Sequence, residues 1–362
     1  MKKLYDSKHC LVNVSNSLLK HYNIKTNHVT ECDLDKVLEK NKGKKICLML
    51  LDGLGSAIQD CYADDCKYLR SGFFKKITSV FPPTTVAATT SLLSSLYPCE
   101  TGWLGWTGQF EDDKRAVVMF ASAYDDGSLQ AANINSYIRF PYQSIIEKMR
   151  LKGISSTQLM SFMLNDKSTE SFFEETKKRI DSNDFVYSYY TEPDSLLHQY
   201  GVGSKEVKNK IKEIDGCLEK LVSEYKDVLF IVVADHGHLN AKSYQIEEHK
   251  DFYDTLKIKH YSIEPRAAAF FVKEDKKEEF EKLANKYYGD HFYILSKEEV
   301  IKEKIFGDGQ FKSSALYCLG DYLLISKDES VFNFDNRACL LSHHAGSSDD
   351  EKYINISVFN SL

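Results

Sequence analysis

The sequence predicts an α/β fold, with a mostly parallel central sheet, helices on both faces and a smaller inserted cap subdomain. Three observations lead there. Short apolar runs recur without polar alternation, clearest in KKICLMLL at 44–51 and DVLFIVVA at 227–234. Such runs suit strands buried on both faces. Segments of helical period separate them, as at 205–225, where Val207, Ile211, Ile214, Leu218 and Leu221 share one face. Finally, 362 residues at 43% hydrophobic suffice for one large α/β domain carrying an insertion.

Taken in order, 44–51 reads as a buried strand stopped by the turn Asp52-Gly53-Leu54-Gly55. A second strand at 74–81 ends at Pro82-Pro83, and 85–96, rich in small and branched residues, follows as a helix. Strands are expected at 117–123, 154–161, 184–191 and 227–234, and helices at 142–152, 169–182 and 205–225. Beyond residue 239 charged helical stretches (273–288, 296–306) mix with strand-like ones (266–272, 322–325). This change of character marks 239–339 as the insertion, after which the chain returns to the sheet near 339–344.

Composition narrows the function classes. With 47 basic and 53 acidic residues the formal charge is −6, which argues against binding nucleic acid through a general basic surface. The N-terminal stretch has lysines but no sustained apolar run or small-residue cleavage site. The most hydrophobic runs are far shorter than the ~20 residues that span a bilayer. Nine scattered cysteines form no CxxC pair, so a reduced, cytoplasmic protein without a membrane anchor is expected. Neither GxSxG nor GxxxxGK[ST] occurs, which removes support for a serine-hydrolase elbow or a phosphate loop.

In an open α/β sheet, ligand sites lie at the carboxyl ends of the strands. Here those ends carry Asp52, then Thr84 and Thr85, then Asp194, then Asp235 and His236. In Asp235-His236-Gly237-His238 a hard oxygen and an imidazole nitrogen reach one ion only if the chain turns, as Gly237 permits. Asp194 and His198 are four apart, so one helical turn puts both on one face. A threonine at a helix start faces free N–H groups and the positive dipole end, where phosphate is received. His343-His344-Ala345-Gly346 adds imidazoles beside a turn. Each feature alone also reads as a loop cap, a helix cap or a surface histidine; their joint occurrence at strand ends points to a metal site.

Five pieces carry a family resemblance: LMLLDGLG, FPPTTVAATTSLLSSLYPCETG, EPDSLLHQYG, VVADHGH and HHAGSSDDE. Together they resemble the alkaline phosphatase superfamily, and most of all its type I phosphodiesterase and nucleotide pyrophosphatase branch. The resemblance covers about 44–238 and resumes at about 340–352, which implies an alkaline-phosphatase-like catalytic domain over 1–238 and 340–362. It implies that Asp52, Thr85, Asp235 and His236 hold one metal ion and Asp194, His198 and His344 another. Thr85 stands twelve residues before Tyr97-Pro98, as the family nucleophile does, with Thr84 the fallback. His344 fits the family's His-x-Gly pattern, with His343 the fallback.

One departure is visible. Many members place a phosphate-binding asparagine shortly after the Tyr-Pro…Gly stretch; here that position falls at or beside Trp106, so Trp103 or Trp106 is expected to wall the pocket. The resemblance implies a dizinc enzyme, with manganese the alternative metal, that cleaves phosphodiester or nucleotide pyrophosphate bonds through a phosphothreonine at Thr85. Two divalent ions against the carboxylates of residues 52, 194 and 235 leave one net positive charge, a local anion trap. The substrate is a small phosphate ester or nucleotide. Alternatives with the same site are a monoesterase, a phosphonate or sulfate-ester hydrolase, a phosphomutase, or a non-catalytic metal- or nucleotide-binding protein. Oligomeric state stays open.

Overall fold

The computed structural model describes residues 3–112, 115–125, 135–334 and 340–362; Cys339 lies outside them. A six-stranded sheet runs in the order Phe73–Thr78, Tyr353–Phe359, Val228–Val233, Lys45–Leu51, Phe185–Tyr190, Ser156–Met160. The last four are parallel neighbours, and Tyr353–Phe359 is antiparallel to both of its partners. Val228–Val233 and Phe185–Tyr190 are buried along their whole length, the first an unbroken apolar run and the second apolar or aromatic except for Ser188.

Helices cover both faces in two packed sets. In one, Leu11–His21 packs against Cys32–Lys40 and Thr85–Ser94; in the other, Lys205–Glu224 packs against Lys67–Ser71, Thr169–Ser182 and Asp194–Tyr200. The stripe Val207, Ile211, Ile214, Leu218, Leu221 is buried as its period requires. No helix among the described residues is long and apolar enough to cross a membrane.

A second sheet is antiparallel throughout, in the order Phe292–Ser296, Tyr322–Ser326, Ala267–Phe270, Ser262–Glu264, Thr107–Gly108, Val117–Val118, Ala123–Tyr124. It has a core of its own, in which Phe252, Phe270, Phe280, Tyr288, Phe292 and Phe332 pack together. Its last three strands come from 107–124, outside the expected insertion.

Three expectations are corrected. The strand at 117–123 is two short strands paired antiparallel in the second sheet, because the chain reverses between Val118 and Ala123. Near 340 the chain does not re-enter the main sheet: Ser342–His343 pairs only with Leu239–Asn240, and the return strand is Tyr353–Phe359. That strand is broken by polar Asn355 and Ser357, so its sequence lacks the apolar run of its neighbours. Helix Leu11–His21 was also not expected. Its Asn13, Asn16 and Ser17 are buried and satisfied by backbone carbonyls of Val29, Ser95 and Glu31, partners that only the folded chain supplies.

One buried ion pair ties the second sheet to the C-terminal loop. Arg266 sends Nε and Nη2 to the two oxygens of Glu351, both at 2.8 Å, and two further N–H groups to the carbonyls of Ser330 and Asp328. Glu351 also accepts from the Gly346 amide at 2.7 Å, so the loop carrying His343 and His344 hangs on this carboxylate. A Cβ on Gly346 would lie 2.6 Å from Arg266 Nη2, which explains glycine there. Glu351→Ala leaves the guanidinium buried and unpaired and is expected to cost ~3–5 kcal/mol of stability. Urea unfolding of the parent and the variant measures this directly.

Candidate metal centre

Strand register builds the centre. Leu51 pairs with Tyr190 and Leu50 with Val233, so the carboxyl ends of three adjacent strands lie side by side. Asp52, Asp194 and Asp235 follow those ends within four residues. Backbone bonds lock the rim: Asp52 N–H donates to Tyr190 O and Asp194 N–H to Asp52 O. Gly237 lets the 235–238 turn pass under the C-terminal segment, since a Cβ there would lie 2.0 Å from Asp350 O.

Thr85 opens the helix Thr85–Ser94, and its Oγ1 lies 3.1 Å from His236 Nε2 and 3.4 Å from Asp52 Oδ1. His236 Nε2 is 3.3 Å from Asp52 Oδ1 and 3.5 Å from Asp235 Oδ2. Beside this group, Asp194 Oδ1 has three imidazole Nε2 neighbours: His238 at 2.7 Å, His198 at 3.5 Å and His344 at 3.8 Å. The expected residues 52, 85, 194, 198, 235, 236 and 344 therefore come together. The fallback Thr84 turns away, its hydroxyl donating to Glu264 Oε1 at 2.6 Å. His343 lies beside His198, with ring centroids 5.7 Å apart.

These residues fit metal ions. One donor atom each of Asp52, Asp235 and His236 lies within 4.8 Å of the others, as does one each of Asp194, His236, His238 and His344. His236 and His198 point Nδ1 at the carbonyls of Gly237 and Ser342, at 3.1 and 2.8 Å. Each Nδ1–H is thereby engaged, and the Nε2 lone pair faces the acidic centre, the usual orientation of a metal-binding imidazole. Asp235 Oδ2 and His344 Nδ1 are buried without a hydrogen-bond partner among the described residues, so Asp235 offers an oxygen free to bind a cation.

The electrostatics say the same. Burial, then the charges of Asp235 and Asp194, push the Asp52 carboxyl well above the ordinary carboxylate range. Burial disfavours charge on His236, yet Asp235, Asp52 and Asp194 outweigh it and lift the imidazole to about 10. Two buried carboxylates with a third, partly buried, beside them demand positive charge. Burial also raises Asp194, but His198, His238 and His236 hold it below its usual range.

Two contributors are absent from the sequence reading, and a third enters it without a role. Tyr189 donates its hydroxyl to Asp52 Oδ2. His238, noted only as part of the Asp-His-Gly-His turn, stands against Asp194. Glu264 is buried, accepts from Thr84 and from the Trp106 amide at 2.7 Å, and is raised to about 7 by burial. Tyr189 and Glu264 have no local sequence signal; each meets the site across a separation of more than 130 residues.

Two cavities open on Thr85. One, of about 970 Å³, runs between Leu93, Phe120, Tyr137, Tyr142, Phe162 and Tyr189; the other, of about 380 Å³, lies against His260, Tyr261, Glu264 and Phe334. Thr85, Asp194 and Trp106 line both. Trp103 lines neither: it is fully buried, donates Nε1–H to Phe140 O, and backs the wall formed by Phe120, Tyr137 and Tyr142.

The family model for type I phosphodiesterases/nucleotide pyrophosphatases matches residues 46–343. The chain belongs to this family. As a member it is a metal-dependent hydrolase of phosphoric esters, and its fold is alkaline-phosphatase-like. Murine ectonucleotide pyrophosphatase/phosphodiesterase 5 shares the fold at TM-score 0.66 and 16% identity, over 87% of this chain and 88% of that one. An inactive threonine-to-alanine variant of the murine protein, in complex with AMP, gives 0.63 and 15%, over 87% of each chain. Phosphonoacetate hydrolase from Sinorhizobium meliloti, in complex with phosphonoformate, gives 0.64 and 15%, over 88% and 90%. Comparison with curated protein sequences gives no match.

Glu264 joins the second sheet to the start of the Thr85 helix through two hydrogen bonds. Glu264→Ala is expected to lower kcat/KM on any turned-over ester about 10-fold or more, as loss of a charge-assisted hydrogen bond predicts, while metal content stays constant. Glu264→Gln keeps an acceptor for Thr84 and should recover most of that loss; steady-state kinetics with elemental analysis test both.

Proposed function

We propose that the chain is a dizinc phosphodiesterase or nucleotide pyrophosphatase that works through a phosphothreonine at Thr85. The observation that carries this reading is the position of Thr85 Oγ1, between His236 and Asp52 and open to two separate cavities. A phosphodiester carries two substituents, and two cavities meeting at the nucleophile accept one each. Aromatic walls in the larger cavity suit a planar base or another apolar group.

The helix supports anion binding by an asymmetry between its ends. At the C-terminus, Asn16 and Lys148 bond the last carbonyls, Ser95 O and Ser94 O. At the N-terminus, Thr84 occupies the cap position without capping, because its hydroxyl goes to Glu264. The first-turn N–H groups and the positive dipole end therefore face the position beside Thr85, where a phosphate oxygen would sit.

In this reading Asp52, Thr85, Asp235 and His236 would hold one ion, and Asp194, His198 and His344 the other. Imidazole and carboxylate donors favour zinc, with manganese the alternative. The ions supply Lewis acidity and charge neutralisation at the phosphoryl group. Thr85 Oγ attacks phosphorus, the P–O bond to the leaving alcohol or phosphate breaks, and that group leaves with a proton. Water then attacks the phosphothreonine, returns the hydroxyl to Thr85 and releases the phosphate monoester. Eight described cysteines are unpaired thiols, which supports a reducing, cytoplasmic setting for this chemistry.

A panel of bis-p-nitrophenyl phosphate, p-nitrophenyl phosphate and p-nitrophenyl sulfate tests the substrate class. Turnover of the diester is expected to dominate; turnover of the monoester or sulfate alone would overturn the diesterase reading. Thr85→Ala should remove turnover by several orders of magnitude, as loss of a covalent nucleophile does, and retain bound metal. Unchanged activity in that variant would remove the phosphothreonine step.

A further inference from the structure

We infer that His238 is a direct ligand of the ion at Asp194, which makes that site three imidazoles and one carboxylate; the inference rests on the dimetal reading above.

The argument turns on where protons can sit. Ser342 Oγ donates its one proton to Leu197 O at 2.7 Å. Its contact with His238 Nδ1 at 3.1 Å must then be donated by the imidazole. A neutral His238 therefore carries its proton on Nδ1 and a lone pair on Nε2. That lone pair faces Asp194 Oδ1 at 2.7 Å, and His238 is almost fully buried. Two acceptors meeting so closely need either a proton or a metal ion between them, and the neutral imidazole leaves the metal ion. His198 repeats the arrangement, its Nδ1 directed to Ser342 O and its Nε2 to the same carboxylate oxygen.

Ligand atoms around a tetrahedral zinc lie about 3.3 Å apart for bonds of ~2.0–2.1 Å. The Nε2 atoms of His198 and His344 stand near that spacing, at 3.5 and 3.8 Å from Asp194 Oδ1, while that of His238, at 2.7 Å, moves outward by about 0.6 Å to share an ion. The three rings are 4.8 to 5.1 Å apart by centroid. One residue, Ser342, orients both His198 and His238, through its carbonyl and its hydroxyl. A set so rich in nitrogen favours zinc over manganese more strongly than two imidazoles would.

The competing role is a protonated His238 that only hydrogen-bonds Asp194. Glutamine can donate to a carboxylate but is a poor ligand for zinc or cobalt, so His238→Gln separates the two. The metal-free parent and the His238→Gln variant would be titrated with Co²⁺ in competition with a chelator and followed by d–d absorption. The parent is expected to take two equivalents. The variant should bind one of them at least ~10-fold more weakly, with shifted d–d bands, while the other equivalent is unaffected. Identical affinity and spectrum in the variant would overturn the ligand role and leave the dimetal reading standing. Failure of the parent to bind cobalt would overturn both. Circular dichroism of the metal-free proteins separates misfolding from ligand loss; should His238→Gln misfold, His238→Asn in the same titration gives the answer.

Discussion

Three carboxylates, two buried and one partly so, crowd together at the ends of three neighbouring strands, and the rest of the site follows from that concentration of negative charge. Asp52 and Asp235 are buried, and Asp194 is held among imidazoles. Carboxylates this close raise each other's affinity for any positive charge, as the upward shifts of both Asp52 and His236 record. The surrounding histidines are aimed by what their far nitrogens touch: Gly237 O, Ser342 O and Ser342 Oγ. The fold thus holds ready a pocket of lone pairs in a chain whose overall charge is already negative.

Around this centre the molecule divides its labour. The main sheet supplies the carboxylates and the helix that begins at Thr85. The second sheet supplies Glu264, which draws Thr84 away from its cap position, and the walls of the smaller cavity. The buried Arg266–Glu351 pair joins the second sheet to the histidine loop, so both bodies must be in register for His344 to reach Asp194. Ala345, at φ 84, sits in the left-handed region immediately after His344; that conformation is costly for a residue with a Cβ and is held by the Gly346–Glu351 bond.

Much of the architecture was legible because its signals are local. An apolar strand followed by Asp-Gly or Asp-His states both that the strand is buried and that a polar group waits at its end. Helices 169–182 and 205–225 announce themselves by period. Failures cluster where local and tertiary preferences disagree. Leu11–His21 is rich in Asn and Ser, and is helical because distant carbonyls satisfy those side chains. Tyr353–Phe359 is a strand despite its polar residues because Asn355 finds Gln59 across the structure.

The sequence by itself determined the α/β class, the strand ends that carry Asp52, Asp194, Asp235 and His236, and the threonine pair from which a nucleophile would come. Those features depend on residues within a few positions of each other, where hydrophobic period and turn chemistry act. Only the tertiary structure turned Thr84 to Glu264 and Thr85 to Asp52 and His236, put Trp103 behind the wall and Trp106 in it, and brought Glu264, Tyr189 and His238 to the centre. Each of those outcomes is set by which distant group a side chain meets, and that is fixed when the two sheets pack together.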